Sequence, residues 1–264
     1  MKLEPQLPDF AKDAIMHFIR DFVKERNVVI GLSGGVDSSV VLALSVRALG
    51  SERVLAVHMP DSITPKTESE DAKLIANKFG VSLRIVPIDN AVKEISKVSG
   101  VKKTETVGNL KARVRMSILY AIANEESRLV VGTSNKSEIL TGYFTKYGDG
   151  ASDLAPIGDL YKTQVRILAK ELEIPQRIID KKPSANLMAG QYDEDELGIS
   201  YENLDKILMG IELGLNTKKI KELANVSERD ILRVLNLYRG SRHKRVMLYI
   251  PKIGARTVNT DWRE

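Results

Sequence analysis

The chain has 264 residues, 43% of them hydrophobic, which is long and apolar enough for one large domain with a full core. Lys and Arg number 40 against 35 Asp and Glu, a small basic surplus that suits anionic small molecules at least as well as nucleic acid. The chain has no cysteine, which excludes disulfides, thiolate metal sites and a cysteine nucleophile.

The first residues of the chain include acids and prolines and lack the apolar core of a signal peptide. No segment approaches the roughly 20 consecutive apolar residues that cross a bilayer. We therefore expect a cytoplasmic protein without a membrane or nucleic-acid partner. An amphipathic pattern predicts a helix over residues 5–25, ahead of the first strand.

Short apolar runs then alternate with helical patterns. Strands are predicted at 27–33, 53–59, 82–88 and 128–134, and helices at about 38–49, 67–79, 89–97 and 109–125. Each strand candidate is almost continuously apolar, as is typical of parallel strands buried on both faces. The alternation predicts an α/β fold, a doubly wound and mainly parallel sheet with helices on both faces.

The pattern changes after the fourth strand candidate. Residues 141–162 contain several glycines and few β-branched residues, which predicts a long loop, and long loops in compact domains are commonly functional. Further helices are predicted at 163–182, 200–213, 216–224 and 227–240, with an acidic loop at 185–198 and a basic cluster at 241–245. No linker divides the chain, so we expect a single domain over residues 1–264.

The segment Gly31-Leu-Ser-Gly-Gly-Val-Asp-Ser-Ser39 follows the first strand candidate and opens a helix. At such a junction, backbone N–H groups and the helix dipole point toward an anion. The segment is not a Walker A loop, because no lysine follows its glycines. Asp37 would repel phosphate unless a divalent cation lay between them, so we interpret it as a magnesium ligand. The ordinary alternative is a tight turn in which Asp37 or Ser38 caps the helix.

The sequence Ser-Gly-Gly-Val-Asp-Ser at 33–38 resembles the pyrophosphate-binding loop of the N-type ATP pyrophosphatases, which cleave ATP between its α and β phosphates and adenylate an acceptor. Segments 109–116, 132–166, 181–198 and 241–245 resemble ammonia-dependent NAD synthetases. This resemblance implies an adenine nucleotide alpha hydrolase-like fold and amidation of deamido-NAD through an NAD-adenylate. It also implies ATP, deamido-NAD and ammonia as substrates, Mg²⁺ as cofactor, and a homodimer with the dinucleotide site near the subunit interface.

The resemblance further implies roles for individual residues. Metal binding is implied for Asp37 and Glu138, and catalytic roles for Asp37, Glu138, Lys162 and Asp149. ATP would be bound by Gly31, Leu32, Ser33, Gly34, Gly35, Val36, Asp37, Ser38, His58, Thr133, Lys162 and Ser184. Deamido-NAD would be bound by Arg113, Tyr143, Lys146, Asp149, Asp153, His243 and Lys244. The ordinary alternatives are solvated glutamate and lysine side chains, snorkelling arginines and aromatic loop packing.

One position departs from the family pattern. Many members have Arg-Leu-Pro at the end of the second strand, where this chain has His58-Met59-Pro60, and their arginine contacts ATP. We expect His58 to replace that contact only in part.

Two other classes of function stay open at this level. Another ATP pyrophosphatase would adenylate a different acceptor, as a GMP synthetase subunit or a tRNA-modifying enzyme does. A nucleotide-binding sensor on the same fold is the non-enzymatic alternative, which the pair of Asp37 and Glu138 disfavours because binding alone does not require a metal. A glutaminase domain is not expected, since it would need a cysteine nucleophile.

Overall fold

The computed structural model describes residues 2–188, 190–246 and 248–258. Within these residues the sheet consists of β1 (Asn27–Gly31), β2 (Val54–His58), β3 (Ser82–Ile85) and β4 (Arg128–Val131), in the order β3-β2-β1-β4. All neighbouring strands are parallel, as predicted. The strand order reverses between β1 and β4, and this reversal opens a crevice at the carboxyl ends of the two strands.

Helices precede, connect and follow the strands. They are α1 (Ala11–Val23), α2 (Val36–Leu49), α3 (Lys66–Lys78), α4 (Asp89–Ser99), α5 (Thr104–Glu125), α6 (Lys136–Thr141), α7 (Lys162–Glu171), α8 (Gln176–Ile179), α9 (Asp193–Leu197), α10 (Tyr201–Glu212), α11 (Thr217–Ala224), α12 (Glu228–Gly240) and α13 (Arg242–Arg245). None of the helices in the described ranges combines the length and apolar character that crossing a bilayer requires.

Helices cover both faces of the sheet, which confirms the predicted doubly wound α/β fold. On one face, Ile30 and Val131 pack in a buried apolar cluster with residues of α1, α2 and α7. On the other face, Val29 and Val130 pack against residues of α4 and α5. A further apolar cluster, which includes the fully buried Tyr201, is formed by residues of α9, α10, α11 and α12 beside the crevice.

The expectation that every strand is buried on both faces is right for β1, β2 and β4 but wrong for β3. Strands β1, β2 and β4 are almost fully buried, whereas Ile85 at the end of β3 is 46% exposed. Both β3 and β4 lie at an edge of the sheet, but Val131 of β4 also forms a bridge with Leu154, whereas β3 pairs with β2 alone. An apolar run cannot by itself distinguish an edge strand from a central one.

Several helix boundaries differ from the prediction. α1 begins after Pro8 rather than at residue 5, and α5 begins earlier than predicted. The predicted helix at 163–182 is interrupted, because Glu173 has a φ of 58° and Pro175 cannot continue the helical hydrogen bonds. The predicted loop at 185–198 contains α9, and its residue 189 lies outside the described residues.

The predicted loop at 141–162 is tied to the sheet. Leu154 forms a parallel bridge with Val131, and its carbonyl accepts a hydrogen bond from the Gly132 N–H at 2.8 Å. The middle of the loop therefore lies beside the carboxyl end of β4, and Asp149 of the loop reaches the crevice.

Candidate functional site

The phosphate loop, residues 31–38, turns from the end of β1 into α2. Hydroxyl groups hold the turn closed: Ser33 Oγ lies 3.0 Å from Ser38 Oγ and accepts from the Gly35 N–H at 3.2 Å. Ser38 Oγ also lies 3.1 Å from the Gly35 carbonyl, to which it can donate. Asp37 lies in the first turn of α2, where the helix dipole favours a carboxylate.

Gly34 lets the phosphate loop pass directly over α3. Its φ is +89°, and a Cβ atom at this position would lie 2.3 Å from the backbone carbonyl oxygen of Glu68. Both the backbone angle and the space therefore require glycine. The close approach at this glycine is made, within the protein, to a neighbouring helix.

Asp37, Glu138 and Lys162 meet beside the phosphate loop and form a carboxylate–lysine cluster. Lys162 Nζ lies 2.5 Å from Asp37 Oδ2 and 3.2 Å from Glu138 Oε1. Asn135 links the two acids: its Nδ2 donates to Asp37 Oδ1 at 2.9 Å, and its Oδ1 accepts from the Glu138 N–H at 3.0 Å. A phosphate loop that contains no lysine thus receives one from a position 125 residues later in the chain.

The charge of Lys162 is set by this cluster. Burial alone would lower the pKa of the lysine, but the carboxylates of Asp37, Glu138 and Asp193 outweigh burial and raise it above the ordinary value. Burial raises the pKa of Glu138, although the ammonium of Lys162 opposes this. A lysine at the first position of a helix is disfavoured by the dipole, so the carboxylates account for its placement on α7.

Asp193, at the start of α9, adds a third acid to the surroundings of the cluster. Its side chain is buried, and its Oδ2 accepts a hydrogen bond from the Tyr201 hydroxyl at 3.1 Å. Its other oxygen, Oδ1, is buried without a hydrogen-bond partner among the described residues. Burial raises the pKa of this carboxyl group, while Lys162 counteracts the rise.

Asp205, on α10, joins the helices that present Glu138 and Lys162. It is fully buried and accepts hydrogen bonds from Ser137 Oγ at 2.5 Å, from the Thr163 N–H at 2.9 Å and from Thr163 Oγ1 at 2.8 Å. Ser137 and Thr163 each adjoin a member of the cluster in sequence. Asp205 therefore fixes α6 against α7. Sequence reasoning missed it, because no local pattern pairs it with either helix.

His58, at the end of β2, has both ring nitrogens engaged within the protein. Nδ1 lies 2.8 Å from the Leu32 carbonyl, and Nε2 lies 2.8 Å from Ser69 Oγ. The carbonyl requires a donating Nδ1–H, and Nε2 of a neutral ring then accepts from the serine. Burial lowers the pKa of His58 and favours this neutral form. The ring therefore braces the phosphate loop against α3.

Three cavities meet at the crevice. The phosphate cavity, about 150 Å³, borders the phosphate loop and the carboxylate–lysine cluster. The nucleoside cavity, about 250 Å³, extends between the ends of β1, β2 and β4 and α5. The outer cavity, about 590 Å³, lies between the start of α5 and the segment 142–145. Asp149 borders all three.

The residues predicted to bind ATP converge on the first two cavities. The phosphate cavity is lined by Ser33, Gly35, Val36, Asp37, Ser38, Thr133, Lys162 and Ser184. The nucleoside cavity is lined by Gly31, Leu32, Ser33, His58, Thr133 and Ser184. Gly34 lines neither cavity, and its role is to allow the backbone angle of the turn. Two further lysines, Lys181 and Lys182, were missed: both line the phosphate cavity, and Lys181 Nζ donates to the Gly34 carbonyl at 3.1 Å and lies 2.5 Å from Asp71 Oδ2.

The residues predicted to bind deamido-NAD are only partly brought together. Tyr143, Asp149 and Lys244 border the outer cavity. Lys146 Nζ donates to the His243 carbonyl at 2.7 Å, and Arg113 Nη2 donates to the Lys146 carbonyl at 3.3 Å, so these three residues form one chain of contacts. Asp153 lies elsewhere, and it accepts from the Val130 N–H at 2.7 Å and borders none of the three cavities.

The residues of the cluster fit the donor set of a hard cation. Mg²⁺ prefers oxygen ligands and commonly binds one or two carboxylates together with substrate phosphates and water. Asp37 and Glu138 supply two carboxylates on the wall of the phosphate cavity. Within the described ranges, no three His, Cys, Asp or Glu side chains are arranged to hold a metal ion by themselves. The site therefore suits a metal ion that arrives with a triphosphate.

Comparison with known proteins agrees with this geometry. The sequence model of the NAD synthase family matches residues 11–248. The NH(3)-dependent NAD(+) synthetase of Methanococcoides burtonii is 46% identical over 242 residues, which cover 89% of this chain and 92% of that protein.

Two solved structures have similar folds. The NMN synthetase of Francisella tularensis has a TM-score of 0.83 at 31% identity, covering 94% of this chain and 100% of that chain. The NH3-dependent NAD synthetase of Campylobacter jejuni, in complex with a nitrate ion, has a TM-score of 0.78 at 33% identity, covering 92% of this chain and 97% of that chain.

Proposed function

This chain belongs to the NAD synthase family, and from that membership we infer that it converts deamido-NAD to NAD with ATP and ammonia. The nicotinate carboxylate attacks the α-phosphorus of ATP, and pyrophosphate leaves. Ammonia then displaces AMP from the adenylate and forms the C–N bond of the amide. The enzyme is a ligase that binds ATP and takes part in NAD biosynthesis.

The observation that carries the mechanism is the meeting of the phosphate loop with Lys162. Negative charge grows on the β-phosphate as pyrophosphate leaves, and preorganised cations and N–H donors at that position lower the barrier. The buried ammonium of Lys162 is such a cation, since its pKa is raised and it is fixed by Asp37 and Glu138. Ser33 and Ser38 keep the loop in its turn, so little reorganisation is needed when the triphosphate binds.

We assign Mg²⁺ to the site as its cofactor, with Asp37 and Glu138 as the residues that would hold it. When bound, the ion neutralises charge on the phosphate oxygens of the leaving group. Lys162 contacts the same two carboxylates, so the ammonium and the metal compete for them. The phosphates of ATP would relieve that competition by offering Lys162 a second anionic partner.

The position of Asp149 supports a role in the second half of the reaction. This carboxylate borders the phosphate, nucleoside and outer cavities, and its Oδ1 accepts from the Thr145 N–H at 2.9 Å. The acyl-adenylate must lie where the nucleotide and dinucleotide sites meet, and Asp149 lies at that junction. We assign it the orientation of ammonia or the pairing with the pyridinium charge.

The remaining assignments rest on the resemblance together with the cavities. Deamido-NAD is assigned to the outer cavity with Tyr143 and Lys244, and the chain from Arg113 through Lys146 to His243 completes its site at the interface of a homodimer. Tyr143 has an ordinary partner as well, because its hydroxyl donates to Glu196 Oε2 at 2.6 Å. We place the enzyme in the cytoplasm.

The function is tested by incubating the purified protein with ATP, Mg²⁺, ammonium and deamido-NAD and measuring NAD and AMP. Parallel reactions replace deamido-NAD by XMP, by tRNA or by nicotinic acid mononucleotide, the last because one similar structure is that of an NMN synthetase. We expect NAD and AMP in equal amounts with deamido-NAD. Release of AMP with another acceptor but not with deamido-NAD would overturn the assignment.

A further inference from the structure

The nucleoside cavity contains one arginine or lysine among the described residues that line it, namely Arg115 of α5. Two carboxylates, Glu68 and Asp149, line the same cavity. A phosphate group that entered a cavity with only these two acids would be repelled. Arg115 is thus the group that makes the cavity suitable for an anionic nucleotide.

The guanidinium of Arg115 is held in place but keeps most of its donors. Its Nε donates to the Met59 carbonyl at 3.0 Å, which orients the planar group. Its Nη2 lies 3.9 Å from Asp61 Oδ2, too far for a hydrogen bond. Asp61 has nearer partners, since Lys111 Nζ lies 2.7 Å from the same oxygen and Thr64 Oγ1 donates to Oδ1 at 2.7 Å. Arg115 is therefore not needed to neutralise this acid.

No other side chain of this cavity can supply the positive charge. His58 is the remaining basic group in the lining, and both of its ring nitrogens are used by Leu32 and Ser69. The apolar walls near Arg115 come from Met59, Met116 and other side chains that suit an adenine ring. An arginine between an apolar slot and a phosphate cavity can bind an α-phosphate through its fork and stack on a base with its face.

We propose that Arg115 binds the AMP half of ATP, and so supplies from α5 the cationic contact that His58 at the end of β2 does not make. The proposal rests on the proposed function for the identity of the nucleotide. It separates two groups of cations: Lys162 and Lys181 line the phosphate cavity, whereas Arg115 lines the nucleoside cavity and would contact the nucleotide that stays on the adenylate.

The test compares Arg115→Met, which keeps an apolar stem, with Arg115→Lys, which keeps the charge without the fork. Arg47→Met is the matched control, since this exposed arginine lies near the far end of α2. Calorimetry measures the binding of ATP, AMP, adenosine and inorganic tripolyphosphate to each protein. The melting temperature without ligand is recorded for each variant. If Arg115→Met does not fold, the binding comparison is made with Arg115→Lys.

We expect Arg115→Met to weaken ATP and AMP binding by on the order of ten- to a hundredfold, with tripolyphosphate binding unchanged. Arg115→Lys should lie between this variant and the wild type, and Arg47→Met should match the wild type. Unchanged adenosine binding would place the contact on the α-phosphate, and weakened adenosine binding would place it on the base.

Wild-type affinity for ATP and AMP in both Arg115 variants would overturn the proposal. An equal loss of tripolyphosphate binding would also overturn it, because the defect would then lie in the phosphate loop. These measurements need no acceptor. A wild-type protein that fails to form NAD therefore refutes the proposed function, while the nucleotide-binding comparison still decides the role of Arg115.

Discussion

Replacing Gly34 by alanine tests whether the phosphate loop depends on its close approach to α3. The new Cβ would lie 2.3 Å from the Glu68 carbonyl oxygen and 3.2 Å from the Ala72 nitrogen. Because both neighbours are backbone atoms, ordinary contact requires about 1 Å of loop or helix movement. We expect a loss of about 2–4 kcal/mol in the free energy of unfolding, from positive-φ strain and overpacking together. A displacement of this size should lower kcat/KM for ATP by about a hundredfold.

Gly100→Ala separates the two causes of that loss. Gly100 has a φ of +70° at the C-terminus of α4, but a Cβ there meets nothing within 4 Å. It should therefore show the backbone strain alone, about 1 kcal/mol, and wild-type turnover. Urea unfolding gives the stabilities, and AMP release at varied ATP gives the kinetics. Equal stability losses in the two variants, or wild-type ATP kinetics in Gly34→Ala, would refute the reasoning.

Three substitutions and one titration test the rest of the site. Lys162→Met should reduce single-turnover AMP formation by about a hundredfold or more, because a charge that stabilises the leaving pyrophosphate is lost; wild-type AMP formation would contradict this role. Asp205→Ala leaves the donors of Ser137 and Thr163 without this acceptor and should cost about 2–4 kcal/mol of stability and lower kcat, whereas the exposed Asp159→Ala should do neither. His58→Gln should abolish the decrease in the free energy of unfolding that the wild type shows as the pH falls below about 6.5. Because burial lowers the pKa of His58, its stabilisation is present above its unfolded pKa of about 6.5 and is lost as pH falls through the folded pKa, while His17→Gln on the exposed face of α1 should keep the wild-type profile. At fixed total ammonium, NAD formation should rise from about pH 7 to about pH 9, since only unprotonated ammonia attacks; a flat profile would mean that this attack does not limit the rate.

Local patterns were sufficient for the scaffold of the site. Continuous apolar runs predicted all four strands, because parallel strands buried between helices have no polar face. The glycine–serine turn after the first run predicted a phosphate loop at a helix N-terminus, which is where the structure has it. The burial expected from these runs was wrong at β3, which is largely exposed. The helical pattern at 163–182 gave one helix where Pro175 separates two.

Residue-level roles were less accessible from the sequence. Asp37 and Glu138 were paired as metal ligands by resemblance, but the sequence contained nothing to say that the ammonium of Lys162 would bridge both acids. His58 was expected to contact ATP in part, whereas its nitrogens are used by the protein itself. That residues 1–264 act as one domain stays a prediction, and so do the binding and catalytic roles of the individual site residues, Asp153 among them.

The sequence by itself determined the four strands, the helices that connect them, the loop after β1 and the family, because these are encoded in short, contiguous patterns. Only the tertiary structure decided that Lys162 is the cation of a loop 125 residues away, that Asp205 holds it there, and that Arg115 faces the nucleoside cavity. These pairings arise where separate strand ends and helix starts converge at one crevice. A buried charge needs a partner close to it in space, because an unpaired buried charge is costly. Which residues are close in space depends on the fold and cannot be read from their separation along the chain.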